Sequence, residues 1–257
     1  MTPTRPEIAD ADRVALTRRP PGRPVMRQDW DHLLFLHWEV PAEAIRRLLP
    51  PALDVDLFEG RAYVGLVPFS MKNVRPAGLP AVRGLSNFHE TNVRTYVHFQ
   101  GREPGVWFFS LDAANAVGAA LGRLWFGLPY FFARMGLDVA GSGDALRMSS
   151  ESRRIYPGPR PATARIEAEV RAPVEPAGVG TLEFFLAERY LLYSAGRDGG
   201  LSRGRVHHAP YPLRVAEVSS LDESLMAAAG IARPDSPPMA HYARGVSVEV
   251  FGLERVG

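Results

Sequence analysis

The chain contains no cysteine, which excludes disulfides, thiolate nucleophiles and cysteine-based zinc sites. Lysine is almost as scarce: of the 30 basic residues only Lys72 is a lysine, and the rest are arginine. Chemistry that needs an amine nucleophile therefore has one side chain to draw on. No stretch approaches the roughly 18 uncharged apolar residues of a membrane span, and residues 1–30 hold no apolar run of signal-peptide length, so the reading is a soluble, cytoplasmic protein without membrane contact. Charge of one sign is also lacking. The net charge is +2 and the arginines stand singly or in pairs such as Arg46-Arg47 and Arg153-Arg154, leaving no tract to grip a phosphate backbone, so nucleic acid is not expected as a partner. Nucleophile-elbow, phosphate-loop and dinucleotide fingerprints are all missing. The histidines (His32, His37, His89, His98, His207, His208 and His241) show no metal-ligand spacing, and the adjacent pair His207-His208 would point to opposite faces of a strand. Neither a metal nor a cofactor is expected.

What is present suits one sizeable core. With 46% apolar and 23% charged residues over 257 positions, the composition is that of a globular protein. Its wealth of Arg, Ala, Gly and Pro resembles a GC-rich bacterial coding bias. Residues 1–28, rich in Pro, Arg and Asp, read as a flexible arm or a strap on the surface; residues 29–257 read as a single domain, ordered from near Trp30.

Within that domain "HLLFLHWEV" is a buried strand, and "PAEAIRRLLP" is a short helix with proline in its first turn. "DVDLF" and "AYVGLVPFSMKNV" read as a hairpin, "FHETNVRTYVHF" and "GVWFFSLDA" as two more strands, and "AANAVGAALGRLWF" as the longest helix, capped by Asp112. Three strands follow, then a short helix opened by Thr181, a hairpin around Asp198, and "LRVAEV", a helical turn and "HYARGVSVEVFGL". About ten strands at hairpin spacing without repeated βαβ alternation predict a mainly β (α+β) antiparallel barrel or cone with a few peripheral helices.

Two polar patterns stand out. Along residues 88–99 period two places Phe88, Glu90, Asn92, Arg94, Tyr96 and His98 on one face and His89, Thr91, Val93, Thr95, Val97 and Phe99 on the other. The first face is either solvated or lines a cavity. In a cavity, Arg94 would hold a carboxylate and Glu90, its pKa raised among aromatic residues, would move a proton at the other end of a small substrate. In the hairpin around Asp198, Tyr193 would face Arg203 and Arg189 would face His207, as cross-strand surface pairs or as part of a binding surface. The uncharged stretch "FGLPYFF", Phe126 to Phe132, is a candidate core strand, pocket mouth or catalytic slot.

Taken together, "LLFLHWEVPAEAIRRLLPPALDVDLFEGRAYVGLVPF", "HETNVRTYV", "GVWFFSLDA", "GLPYF", "ERYLLYS" and "RGRVHHAPYPL" resemble, in that order and spacing, the bacterial YqjF-like family, from about Trp30 to Val256. That family is similar to the acetoacetate decarboxylase-like superfamily, whose members share an antiparallel β-barrel or cone around an apolar pocket. The resemblance implies that Glu90 lies about where the decarboxylases keep an acidic residue. It also implies that Tyr130 and Phe131 occupy the positions of their adjacent lysine pair, one of which forms an imine with a β-keto acid. Neither a phenol nor a phenyl ring can form an imine, so Schiff-base decarboxylation is not expected.

Three functions stay open on these residues. The first is a lyase, hydratase or isomerase acting on a keto acid-like metabolite. Glu90, Arg94 and Tyr130 would be catalytic, and Asn92, Phe131, Arg189, Tyr193 and His207 would bind the substrate. The second is a small-molecule binding protein without turnover, and the third a structural domain without ligand. Self-association into a homo-oligomer is left open by the sequence.

Overall fold

The computed structural model describes residues 8–142, 145–157, 161–174, 177–196 and 199–256. Its frame is a run of five long antiparallel strands in the order β12 (Met239–Arg255), β1 (Met26–Val40), β3 (Ala62–Pro76), β4 (Phe88–Phe99) and β5 (Arg102–Ala113). β1 and β3 are apolar on both faces over much of their length, the mark of strands covered from both sides. In β1, Leu33 and Phe35 join one cluster while Leu34, Leu36 and Trp38 join another.

Both outer strands of this frame fork. β5 pairs in parallel with β9 (Leu191–Ala195) at Val106 and Trp107, and in parallel with β6 (Tyr130–Ala140) at Leu111 to Ala113. β12 pairs with β10 (Leu201–His207) through Glu249 to Arg255, and with β11 (Leu213–Glu223) through His241 to Ala243. Since β9 pairs with β10, the frame closes into a circuit of seven strands. Through β7 (Leu146–Tyr156) and β8 (Thr163–Pro173) it also closes into a circuit of nine. The larger core cluster draws Leu34, Leu36, Val64, Leu66, Val93, Val97, Met148, Ile166 and Val170 from the nine-strand circuit. On the opposite face, Phe35, Phe69, Tyr63 and Tyr96 line the seven-strand circuit, and the helix α4 (Leu182–Ala187) is buried against them.

The barrel class read from the sequence is present, with four differences of detail. Among the described residues twelve strands form rather than about ten, and both neighbours that β5 gains at its fork are parallel to it. The crossover from β5 to β6 is the helix α3 (Ala116–Trp125), a connection that parallel neighbours require. Asp112 does not cap that helix; Asn115 does, its Oδ1 accepting from the Gly118 amide at 2.9 Å, because Asp112 is consumed by an ion pair inside the sheet. The expected hairpin over residues 54–74 is reduced to its turn, where Phe58 and Arg61 exchange two 3.0 Å backbone bonds. The short strand β2 (Leu53–Val55) pairs with β4 instead, and the Asp56 amide donates to the Tyr96 carbonyl at 2.9 Å, so the chain is drawn away from β3.

Before Trp30, the helix α1 (Asp10–Thr17) is tied to the barrel by Arg13, which forms two 2.7 Å bonds with Asp56, and by Arg205, which donates to the Leu16 and Arg18 carbonyls. β1 starts at Met26, paired with Val250 and Pro76. Residues 1–7 and Asp198 lie outside the described residues, but the register read for the hairpin is observed where Tyr193 faces Arg203. Among the described residues no helix is long and apolar enough to cross a membrane.

Candidate active site

β4 lies between β3 and β5, and this position settles the polar face that the sequence left open. Glu90, Asn92 and Arg94 are only 3, 4 and 8% exposed, so the face is not solvated. Opposite them stand Phe69 and Ala113 beside Glu90, Leu111 beside Asn92, and Gly65 beside Arg94. On the far side of β5, Tyr130 pairs with Leu111 and so projects from the same face as Asn92.

Glu90 and Tyr130 meet there. The Tyr130 hydroxyl donates to Glu90 Oε2 at 3.0 Å, and the Asn92 side chain also hydrogen-bonds the carboxyl. Burial pushes the Glu90 pKa up to about 7, opposed by the bonds from Tyr130 and Asn92 and assisted by the nearby Asp112 charge. The Tyr130 hydroxyl is held well above its ordinary pKa, first by burial and then by Glu90, so it is a proton donor throughout the neutral range. α3 positions the phenol: a Cβ on Gly122 would stand 2.5 Å from the Tyr130 ring. Gly122→Ala is therefore expected to push the ring off Glu90 and to destabilise the fold by about 1–3 kcal/mol, the usual cost of overpacking. Urea unfolding, with the Glu90 carboxyl followed by NMR, checks this; an unshifted carboxyl resonance and an unchanged midpoint would count against it.

At the other end of the face, Arg94 Nη2 donates to the Leu186 carbonyl at 3.1 Å, and the guanidinium stands 5.4 Å over Phe35 and 5.8 Å over Tyr96. His37 approaches the Tyr96 hydroxyl at 2.6 Å, and that hydroxyl donates to the same Leu186 carbonyl at 2.7 Å. The strand-to-strand turn after β10 adds His208, stacked between Tyr190 at 4.5 Å and Tyr211 at 4.6 Å. Glu188 receives the Tyr190 hydroxyl and, at 2.8 Å, the Tyr211 amide. The sequence reading missed His37, Glu188, Tyr190, His208 and Tyr211. His37 lay in a strand already identified, where its alternation with Leu36 and Trp38 was the available signal; the others come from irregular segments that no period marks.

Of the remaining expected site residues, none joins Glu90. Phe131 neighbours Tyr130 but pairs with Asp112, on the opposite face, and lies 3.7 Å beneath the Arg154 guanidinium. Tyr193 packs into the larger core cluster and donates to the Glu103 carbonyl at 2.8 Å. His207 pairs with Glu249 on β12. Arg189 precedes β9, since the ladder ends at Leu191 and Arg205; instead of facing His207 it turns to Asp56 at 2.7 Å and stacks 4.6 Å over Tyr96. A second buried ion pair also escaped the sequence reading: Arg154 grips the wholly buried Asp112 with bonds of 2.6, 3.1 and 3.2 Å.

Lys72 forms a 2.7 Å ion pair with Asp31 while 48% exposed, and neither residue belongs to the buried face. Among the described residues, no three His, Asp or Glu side chains gather closely enough to hold a metal ion.

Comparison with known proteins agrees with this geometry at the level of family and fold. Residues 27–247 match the family model DUF2071, described as an uncharacterized conserved protein. The uncharacterized protein YqjF of Bacillus subtilis (strain 168) is 35% identical over 241 residues, spanning 92% of this chain and 94% of that protein. Among solved structures, the enduracididine biosynthesis enzyme MppR complexed with pyruvate superposes with a TM-score of 0.61 at 14% identity, covering 92% of each chain. An acetoacetate decarboxylase-like enzyme from Sphingomonas wittichii RW1 gives 0.62 at 12% identity, over 91% of this chain and 94% of its own. The acetoacetate decarboxylase of Legionella pneumophila gives 0.61, also at 12%, over 100% and 98%. At these identities the structural likeness speaks to the fold.

Proposed function

Because the chain belongs to the DUF2071 family and has the acetoacetate decarboxylase-like fold, we propose that it is an enzyme of small-molecule acid-base chemistry: a lyase, hydratase or isomerase for a keto acid-like metabolite that works without an imine. The observation that carries this reading is the buried Glu90 carboxyl, with a pKa of about 7, hydrogen-bonded by Tyr130. A group poised there takes and returns protons at neutral pH, which an ordinary glutamate cannot do efficiently. Tyr130, held protonated, gives its one hydrogen to Glu90 Oε2 at rest; once Glu90 has taken a proton, that hydrogen is free to turn to oxygen on which negative charge develops. Arg94 holds the substrate carboxylate; it stands about 13 Å from Glu90 measured along the strand, and the two side chains bracket a molecule of a few carbons. That MppR was solved with pyruvate is in keeping with a small acid as substrate.

The test is turnover of a panel of keto, hydroxy and enoyl acids by the wild-type protein and by Glu90→Gln, Tyr130→Phe and Arg94→Met. Glu90→Gln is expected to lower kcat by about 100- to 10,000-fold, and the wild-type pH profile to break near 7. Arg94→Met is expected to act mainly on KM. Absence of turnover across the panel, with a small acid still bound, would replace this reading with that of a binding protein.

A further inference from the structure

Five buried polar atoms on or against the face that lines the seven-strand circuit have no hydrogen-bond partner among the described residues: His37 Nδ1, Asn92 Oδ1, His208 Nε2, Arg94 Nε and Arg189 Nη2, the last on a guanidinium 4.6 Å over Tyr96. Such atoms are rare in folded proteins and each calls for a partner. Their polarity follows from the bonds that the same side chains already make. The Tyr96 hydroxyl has one hydrogen, given to the Leu186 carbonyl, so its oxygen accepts from His37 Nε2 and leaves His37 Nδ1 as a bare lone pair. His208 Nδ1 lies 2.8 Å from the Ala209 carbonyl, which can only accept, so the proton sits on Nδ1 and Nε2 is bare. Both rings are neutral: burial lowers each pKa, in His208 to about 4 against the pull of the Ala209 carbonyl, and the Arg94 charge adds to the lowering in both. Three of the five atoms are thus acceptors, and the two donors, Arg94 Nε and Arg189 Nη2, both belong to guanidinium groups suited to a carboxylate.

These side chains share one site. His37 and Arg94 lie side by side over Gly65, where a Cβ would come within 3.1 Å of the His37 ring and 3.3 Å of Arg94 Cγ. Arg94 lies over Phe35, Phe35 packs on Tyr211 at 5.2 Å, and Tyr211 packs on His208. Asn92 projects from the same face of β4 as Arg94, two residues away, toward the Glu90 end.

We infer that this face selects a hydroxy acid, whose carboxylate is held by Arg94 and whose hydroxyl donates to a bare acceptor among Asn92 Oδ1, His208 Nε2 and His37 Nδ1. This rests on the proposed function for the place of the site, but not on turnover, and it narrows the keto acid-like substrate named there to the hydroxy acid that a hydratase forms or consumes. A keto acid brings acceptors only, a carboxylate and a carbonyl, and would leave the three bare lone pairs without a hydrogen. An amino acid brings a donor, but its ammonium would enter a region where the charges of Arg94 and Arg189 already oppose a proton on His37. A hydroxyl alone supplies hydrogen without charge. Sites built to bond a ligand hydroxyl discriminate steeply against analogues that lack it.

Isothermal titration tests this with (R)- and (S)-3-hydroxybutyrate, acetoacetate and butyrate against the wild-type protein, Arg94→Met, Asn92→Leu, His208→Phe and His37→Phe. One hydroxybutyrate enantiomer is expected to bind at least about 100-fold tighter than acetoacetate and butyrate. Arg94→Met should abolish binding of all the acids, whereas one of Asn92→Leu, His208→Phe and His37→Phe, the one that removes the acceptor of the single hydroxyl hydrogen, should bring the hydroxy acid down to the level of the keto acid, and full discrimination kept by all three would overturn the inference. If His208→Phe or His37→Phe does not fold by circular dichroism, the wild-type ratio decides. Acetoacetate binding as tightly as both hydroxybutyrates, or neither hydroxybutyrate binding at millimolar concentration, overturns the inference. Selective binding of a hydroxybutyrate with no turnover of any acid would sink the catalytic reading and leave this one standing. Glu90-dependent turnover with equal affinity for keto and hydroxy acids would do the reverse.

Discussion

Asp112→Ala is expected to destabilise the protein by about 3–5 kcal/mol, the usual loss when one partner of a buried ion pair is removed. Asp112 is wholly buried and the Arg154 side chain is 2% exposed, so the guanidinium would be left without its counter-charge and out of reach of water. Its stacking on the Phe131 ring cannot compensate, because a cation over an aromatic face gains only about 0.5–2 kcal/mol. The double variant Asp112→Leu, Arg154→Met removes both charges while filling similar volume, and should fall within about 1 kcal/mol of the wild type or exceed it. Urea unfolding of the two variants measures the contrast. A single variant that loses less than about 1 kcal/mol would show that water reaches Arg154 and that the pair is not sealed inside the sheet.

The second large effect concerns pH. The folded protein keeps the Glu90 proton up to about pH 7, whereas the unfolded chain releases it near 4.5. Between those values the folded state binds more protons than the unfolded one, so stability falls as pH rises through this window. At about 1.4 kcal/mol per unit, the raised pKa costs about 3 kcal/mol above pH 7. Glu90→Gln has no proton to lose. It should match the wild type near pH 4.5 and be more stable by about 3 kcal/mol at roughly pH 8.5. Other groups titrate too, among them Glu188, whose pKa burial raises, and His208, whose pKa burial lowers, but they are common to both proteins and cancel in the difference. Parallel stability curves for the two proteins across that range would mean that Glu90 is ionised in the fold at neutral pH. Gaining stability while losing turnover is also what a residue kept for chemistry should show.

These effects begin from features legible in the chain. The strand over residues 88–99 was bounded by its alternation alone, and the same alternation put Glu90, Asn92 and Arg94 on one face. Thr181 announced its helix as a cap, and the Thr181 hydroxyl accepts from the Phe184 amide at 3.2 Å. The hairpin register was not fixed by the sequence, since a one-residue slip fits the same glycine-rich turn; of the two, the structure has the one in which Tyr193 faces Arg203. Elsewhere local signals misled. Asp112 looked like a helix cap because a carboxyl before a helix usually is one, yet Arg154, forty-two residues later, claims it. Arg189 looked like a strand residue facing His207, yet Asp56 draws it off the ladder.

The class of fold, the strand faces and the scarcity of amines were fixed along the chain, because strand period and residue identity are local properties that no packing alters; that Lys72 stays at the surface came from the structure. The stretch "FGLPYFF" already showed that scarcity, since it offers one phenol and no amine. Whether the polar face of β4 met water or the interior was a matter of long-range strand pairing. That depended on β5 and β12 forking so that seven strands close on one side of the frame and nine on the other. Only closure could bring His37, Glu188 and His208, from segments far apart in the chain, to the face that holds Glu90 and Arg94. Removing that face from water is what pushes the Glu90 carboxyl up to about 7, since burial is the largest cause of the shift.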